Sequence, residues 1–238
     1  ERARLSEQAS QAELLRATES LQTALLNSIS HDLRTPLVSI TGALSSLDED
    51  NGLLNESARR ALIENARGEA DRLNRLVGNL LNMTRIESSA IKLRLESEDI
   101  QDVVGTALEQ LGSRIANRKI QVNVPVGFPL VPMDFTLIAQ VLVNVLENAV
   151  KYSPTDSIIE VSAELLDEKI RLKIADRGAG IPSEDLTRIF DKFYRVQRPE
   201  NVSGTGLGLS ISKGIVEIHH GQIYARARDG GGTIITIE

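Results

Sequence analysis

The feature that most constrains this chain is a change of hydrophobic period near Ser88-Ser89. Before it, apolar residues recur at three- and four-residue intervals, the spacing that lines one side of a helix. After it, short alternating segments are interleaved with helical ones. Two such patterns cannot share one layer of one element type, so a helical part must be followed by a part that contains a sheet.

In the first part, Leu14, Leu21, Leu25 and Ser28 follow a seven-residue spacing with Glu, Arg and Gln between them. That suits a coiled coil over 1–27 leading into a bundle. Pro36 falls inside the helical pattern, where it removes a backbone donor and predicts a kink. Asp48-Glu49-Asp50-Asn51-Gly52 breaks the helix. Asn55 then predicts an N-cap for a helix reaching about Glu87, with Leu62, Ala66, Leu73, Leu76, Leu80 and Met83 on one face. One hairpin of two such helices cannot enclose its own apolar stripe, whereas two hairpins can. A homodimeric four-helix bundle is therefore expected over 1–90.

The second part, 91–238, predicts strands from Ile91 to Leu95, Ile120 to Val124, Ile158 to Leu165, Ile170 to Ala175, Gln222 to Ala227 and Thr233 to Ile237. Helical stretches are expected near 100–117, 134–151 and 207–219. This is an α+β pattern, a mixed sheet covered on one side by helices. Ten of the 17 glycines lie between Gly178 and Gly232, which points to loops that a ligand approaches closely.

Composition removes several functions. Net charge is −6 and aromatic residues make up 3%, so neither the clustered cations nor the stacking rings of a nucleic-acid binder are present. Cysteine is absent and there are three His, which excludes a disulfide framework and argues against structural zinc. No apolar run exceeds three residues, against roughly 18 for a membrane span. No direct membrane contact is expected. The chain opens on Glu1 without a Met, and a soluble piece of something longer is expected.

Four motifs carry candidate chemistry. In Ser30-His31-Asp32-Leu33-Arg34-Thr35-Pro36, a neutral imidazole with a pKa of about 6.5 keeps a nucleophilic lone pair. Asp32 can take the other ring proton, and Thr35, one turn on, can position a water. A surface His beside an Asp by chance fits these residues equally well. In Asn144-Val145-Leu146-Glu147-Asn148-Ala149-Val150-Lys151-Tyr152, the polar residues 144, 147, 148 and 151 share one helical face. A carboxamide oxygen is a hard ligand suited to Mg²⁺, and Lys151 adds a point charge for phosphates. An ordinary half-exposed amphipathic helix is the alternative. Asp176-Arg177-Gly178-Ala179-Gly180 places a carboxylate beneath a glycine turn, where it can accept the exocyclic amine of adenine, although Asp-x-Gly-x-Gly is also a common turn.

Gly204-Thr205-Gly206-Leu207-Gly208 leads into a helix N-terminus, a ready anion site. Its G-x-G-x-G spacing, with no strand before it and no Gly-Lys-Ser/Thr ending, fits neither a dinucleotide fingerprint nor a Walker loop. Between the last two motifs, Phe190, Phe193 and Tyr194 form a small anchor that suits the hinge of a mobile lid.

Taken in order, these elements resemble the sensor histidine kinases of two-component systems, from about Leu21 to the C-terminus. His31 to Pro36 matches the phosphoacceptor box, Asn144 to Tyr152 the N box, and Asp176 to Gly180 the first glycine box. Phe190 to Phe193 matches the F box, and Gly204 to Gly208 the second glycine box, with Gly230-Gly231-Gly232-Thr233 at the turn into the last strand. Leu-Glu-Asn-Ala-Val-Lys-Tyr is most similar to the potassium-responsive group. Ala179 departs from the Pro or Ile frequent at its position.

The resemblance implies a dimeric phosphoacceptor hairpin joined to a Bergerat-type ATP-binding domain. It implies that His31 attacks the γ-phosphate of ATP with Asp32 orienting it, and that Asn148 ligates Mg²⁺ with Asn144 nearby. Lys151 and Tyr152 would contact phosphate, Asp176 with Gly178 and Gly180 would hold the adenine, and Arg195 would reach toward the γ-phosphate. Gly204, Thr205, Gly206, Leu207 and Gly208 would line the phosphate lid. A response-regulator receiver domain is the implied partner, and Asp32 to Thr35 fits the family's phosphatase signature. A gyrase- or chaperone-like ATPase clamp would leave His31 idle, and a docking scaffold would leave the asparagines, Asp176 and the lid glycines without purpose.

Overall fold

The computed structural model describes residues 30, 33–50, 54–87, 92–166, 169–196 and 206–238. The chain divides into two compact units, which part between Gly78 and Asn79. The coiled-coil segment expected over 1–27 lies outside the described residues, as do His31, Asp32, Gly204 and Thr205.

In the first unit, residues 33–48 form helix α1, which runs on through Pro36. Helix α2, Glu56–Glu87, starts where the Asn55 cap predicts: Asn55 Oδ1 accepts the Ala58 amide at 2.8 Å. Between the helices, Asp50 Oδ1 accepts the Leu54 amide at 2.9 Å, and its other oxygen lies 3.7 Å from Arg59 Nε. Leu62, Ala66, Leu73, Leu76, Leu80 and Met83 are all partly shielded, as one face of α2 should be. The last turns of α2 count with the second unit, where Asn82 donates to Gln140 at 3.0 Å and Met83 packs on the core.

The second unit holds strands β1 (Glu96–Glu98), β2 (Lys119–Asn123), β3 (Val131–Met133), β4 (Ile158–Leu166), β5 (Lys169–Ala175), β6 (Ile223–Ala227) and β7 (Thr233–Ile237). Helices α3 (Ile100–Leu111), α4 (Phe135–Tyr152) and α5 (Gly208–Ile218) complete it, with 3₁₀ turns at Gly112–Ile115 and Arg188–Phe190. The main sheet runs β2-β4-β5-β7-β6, with β2 parallel to β4 and every other pair antiparallel. A mixed sheet with helices packed on it is the predicted architecture.

Two details differ. Of the strand expected from Ile91 to Leu95, residue 91 lies outside the described residues and 92–95 are not strand; the strand forms at Glu96–Glu98, because its partner is β3, in the register Glu96↔Met133 and Glu98↔Val131. β3 contains Pro132, which removes a donor and is tolerated in this two-stranded ribbon.

Period-two alternation gives the main sheet one apolar face. The rows Val161–Ile174–Ile235–Ala225 and Ala163–Leu172–Ile237–Ile223 cross four strands. Against that face lie Val103 and Ala107 of α3, Leu142 and Leu146 of α4, and Ile211 and Ile215 of α5, all at most 1% exposed. Each large aliphatic removed from water this way contributes about 1.5–3 kcal/mol, which fixes α4 and α5 side by side. The opposite face is polar. Glu164 meets Lys173 at 2.5 Å, while Glu238 accepts from Arg171 at 2.6 Å and from the Tyr224 hydroxyl at 2.8 Å.

Candidate functional site

Three chain segments far apart in sequence converge at the C-terminal end of α4. Asp134 starts that helix: its Oδ1 accepts the Leu137 amide at 3.2 Å and its Oδ2 the Arg94 amide at 3.1 Å. The Asp134 amide itself donates to His219 Nε2 at 3.0 Å, and His219 Nδ1 bonds Ile215 O at 2.7 Å. One imidazole thus ties the start of α4 to the end of α5.

Asn144 is 8% exposed, and its Nδ2 donates to Gly208 O at 3.2 Å and to Ser212 Oγ at 3.4 Å. The carboxamide is oriented by these bonds, and the N box meets the second glycine box through them. Asn148 is half-buried, one turn on. Lys151 Nζ lies 5.1 Å from the Tyr152 ring centroid. The polar face expected at 144, 147, 148 and 151 splits in two. Asn144 turns to α5, whereas Glu147 pairs with Arg114 of the 3₁₀ turn after α3. Positions i+3 and i+4 fall on either side of the axis through i, and here they serve different neighbours.

Asp176 follows β5 directly and is 8% exposed. Its Oδ1 accepts the amides of Gly178 at 2.7 Å and Thr233 at 3.3 Å, and its own amide donates to Thr233 O at 2.9 Å. The carboxylate is thereby fixed from the turn after β5 and from β7. A Cβ on Gly178 would stand 2.3 Å from Tyr152 O, so this glycine is what lets the turn after β5 meet the end of α4. Gly232 has φ 109°, and a Cβ there would stand 2.2 Å from Asp176 O; Gly180, at φ 72°, faces the Gly232 carbonyl. Neither Gly232 nor Thr233 is given a role at the site by sequence reasoning. The Gly-Gly-Gly-Thr run is the signal that could have found them.

Gly206 has φ 70° and accepts the Phe193 amide on its carbonyl at 3.0 Å. Phe193 has φ 62°, and a Cβ on Gly206 would fall 2.7 Å from Phe193 C, so the F box and the second glycine box are pressed backbone to backbone. Leu207, 3% exposed, plugs the core, and Gly208 opens α5 with Asn144 beneath it. Ile189 and Phe190 are buried. The Tyr194 hydroxyl donates to Asp185 under the Arg188 guanidinium, 4.3 Å from the ring centroid. That bond raises the Tyr194 phenol above its ordinary range. The F box is thus an anchored base on which the described end of the second glycine box rests.

Asn144, Asn148, Lys151, Tyr152, Asp176, Gly178, Gly180, Gly206, Leu207 and Gly208 are thus linked through one connected set of elements. Arg195 is exposed, and Thr35 is an exposed residue of α1 in the other unit. Among the described residues no group of three His, Cys, Asp or Glu side chains could hold a metal alone. A hard cation here would rest on a carboxamide oxygen together with oxygens of its ligand, the donor set that suits Mg²⁺ rather than a transition metal.

A buried carboxylate held under a glycine turn, beside an asparagine-bearing helix and a glycine-led helix N-terminus, defines a nucleotide-binding ATPase-type domain. Residues 133–238 match the family model described as histidine kinase-, DNA gyrase B-, and HSP90-like ATPase. Residues 21–89 match the His Kinase A phospho-acceptor domain. The chain is similar to the sensor protein KdpD of Clostridium acetobutylicum, 39% identical over 91% of this chain and 24% of that protein. It is 37% identical to KdpD of Escherichia coli over 100% of this chain and 26% of that one. It therefore spans about a quarter of the length of these relatives. Among solved structures, Acinetobacter baumannii histidine kinase AdeS superposes with a TM-score of 0.67 at 28% identity, over 87% of this chain and 95% of that one. The chain belongs to the sensor histidine kinases and carries both a phospho-acceptor and an ATPase-type domain.

Proposed function

We propose that this chain is the catalytic core of a cytoplasmic signalling kinase that phosphorylates its own His31 from ATP and passes the phosphoryl group to an aspartate of a response-regulator receiver domain. Residues 1–90 serve as the dimeric phosphoacceptor part and 91–238 as the catalytic part. The observation that carries this is the convergence of Asn144, Asp176 and Gly208, joined through Asn144 to Gly208 at 3.2 Å and through the fixed Asp176 turn.

In the reaction, a lone pair of the His31 imidazole forms the N–P bond. The bond from the γ-phosphorus to the β–γ bridging oxygen breaks, ADP leaves with that electron pair, and Asp32 takes the ring proton. Asn148 is the residue that would hold Mg²⁺, which when bound would neutralise phosphate charge. Asp176 accepts the adenine amine, while Lys151, Tyr152 and Arg195 face the phosphates. Lid residues Gly204, Thr205, Gly206, Leu207 and Gly208 enclose them. Thr35 positions the water that hydrolyses the regulator's aspartyl phosphate.

Leu37, Val38, Leu44, Ile63 and Val77 of the helical unit are 44–60% exposed, an apolar surface that a second copy would cover. Among the described residues no helix is long and apolar enough to cross a membrane.

Incubation with γ-labelled ATP and Mg²⁺ tests the proposal. Acid-labile, base-stable label is expected on the wild-type chain and none on His31→Ala, which still binds nucleotide. Label retained by His31→Ala refutes it. Thr35→Ala is expected to keep the label but lose regulator dephosphorylation, and equal dephosphorylation rates would remove Thr35 from that role.

A further inference from the structure

Asp176 is held from behind as well as from the side. Arg228 follows β6, and its side chain is 12% exposed. Its Nη2 donates to Glu160 Oε1 at 2.6 Å and its Nη1 to the Asp176 carbonyl at 3.3 Å. Glu160 lies on β4 opposite Ala175, the residue before Asp176. The Arg228 backbone closes the β6–β7 turn, its amide donating to Gly232 O at 3.1 Å and its carbonyl accepting from Gly231 at 3.0 Å. One guanidinium therefore joins β4, the end of β5 and the turn that delivers Gly232 and Thr233 to Asp176.

We propose that Arg228, anchored by Glu160, is a positioning residue for nucleotide recognition, setting the orientation of the Asp176 carboxylate and hence the preference for a base with an exocyclic amine. It is not a catalytic residue, since it bonds the backbone and an acidic side chain on the far side of the turn. The physical reason is geometric. Asp176 Oδ1 is aligned by the amides of Gly178 and Thr233, and those two amides keep their places only while the Asp176 carbonyl and the Gly232 turn stay together. A Cβ at Gly232 would be 2.2 Å from the same carbonyl, so the contact has no slack on that side. Arg228 supplies the attractive force that closes it. A fork of two N–H donors can hold Glu160 and the carbonyl at once, whereas the point charge of Lys cannot do so with the same geometry.

The proposal rests on Asp176 reading adenine, and the test separates the two. Mg²⁺ with ADP, and Mg²⁺ with inosine 5′-diphosphate, which has a carbonyl in place of the amine, are titrated calorimetrically into the full chain. Wild type is expected to prefer ADP; equal affinity for both nucleotides would overturn the adenine reading itself. Given that preference, Arg228→Ala is expected to weaken ADP binding about tenfold with little change for the inosine nucleotide, and Arg228→Lys to recover part of the loss. In an Asp176→Asn background, Arg228→Ala is expected to cause no further change in the ratio. An undiminished ADP preference in Arg228→Ala overturns the proposal. Should that variant fail to fold, Glu160→Gln decides: the ratio is expected to fall about threefold, and an unchanged ratio refutes the role.

Discussion

Gly178 and Gly208 belong to two glycine boxes of similar appearance, yet their surroundings predict opposite responses to alanine. A Cβ on Gly178 would stand 2.3 Å from Tyr152 O and 2.9 Å from Asp176 Oδ1. Ordinary contact lies near 3.4 Å, so the turn must retreat by about 1 Å from the end of α4. Overpacking of that size costs about 1–3 kcal/mol. For a chain of this length each kcal/mol moves the melting temperature about 2–4 °C, so Gly178→Ala should melt about 2–12 °C lower. On Gly208 the nearest atoms to a Cβ are those of Asn144, at 3.8 Å. Alanine meets no obstacle there and lowers the entropy cost of the first turn of α5, a gain of up to about 1 kcal/mol. Calorimetric melting of the full chain, following the transition that rises on adding ADP, measures both. ADP affinity should also fall in Gly178→Ala if Asp176 holds the adenine as proposed, since the intruding methyl presses on its carboxylate. A Gly178→Ala chain with wild-type melting and wild-type ADP affinity would refute the steric argument, as would a Gly208→Ala chain less stable than Gly178→Ala.

Two further outcomes follow from the packing. His219→Phe leaves the Asp134 amide without its acceptor and removes the ring's bond to Ile215 O. Urea unfolding should report a loss of about 1–3 kcal/mol, and a loss below about 0.5 kcal/mol would show that the ring is not a tie between α4 and α5. On the polar sheet face, the bond to Lys173 holds the Glu164 carboxyl below its ordinary range, and the Tyr224 hydroxyl followed by Arg171 does the same for Glu238. Because folding depresses both carboxyls, their stabilisation is present above the unfolded value of about 4.3 and disappears as pH falls below it through the folded values. The urea midpoint should therefore drop between about pH 5 and 3, and a Glu164→Gln/Glu238→Gln chain should show a flatter profile. Parallel profiles would exclude these carboxyls as the source.

What the residues disclosed in advance was mostly local. Asn55 announced α2 because a cap needs only the amide three positions on, and the apolar stripes of α4 and α5 announced helices because their period is set within two turns. β7 was legible because Thr233–Ile237 is preceded by three glycines and rich in β-branched residues. β1 and β3 were not: Ile91 to Leu95 alternates well, but the strand position was decided by pairing with Val131–Met133, and Pro132 disguised that partner. At the site, the motif residues declared themselves by type. Thr233 and Arg228 did not, because their bonds reach back 57 and 52 positions to Asp176, a separation that no window of neighbouring residues contains. The split between Asn144 and Glu147 was hidden for the same reason, since α5 and Arg114 decide it from outside the helix.

Strand β7 follows β6 in the chain but does not lie at the edge of the sheet: it sits between β5 and β6 and supplies the Thr233 amide to Asp176. On a ribosome adding 5–20 residues per second, the 57 positions from Asp176 to Thr233 take about 3–11 s to synthesise. Throughout that interval β5 has an open edge and the Asp176 carboxylate lacks one of its two amide donors. The full support of the Asp176 carboxylate in a nascent chain is therefore complete only once β7 has emerged and paired.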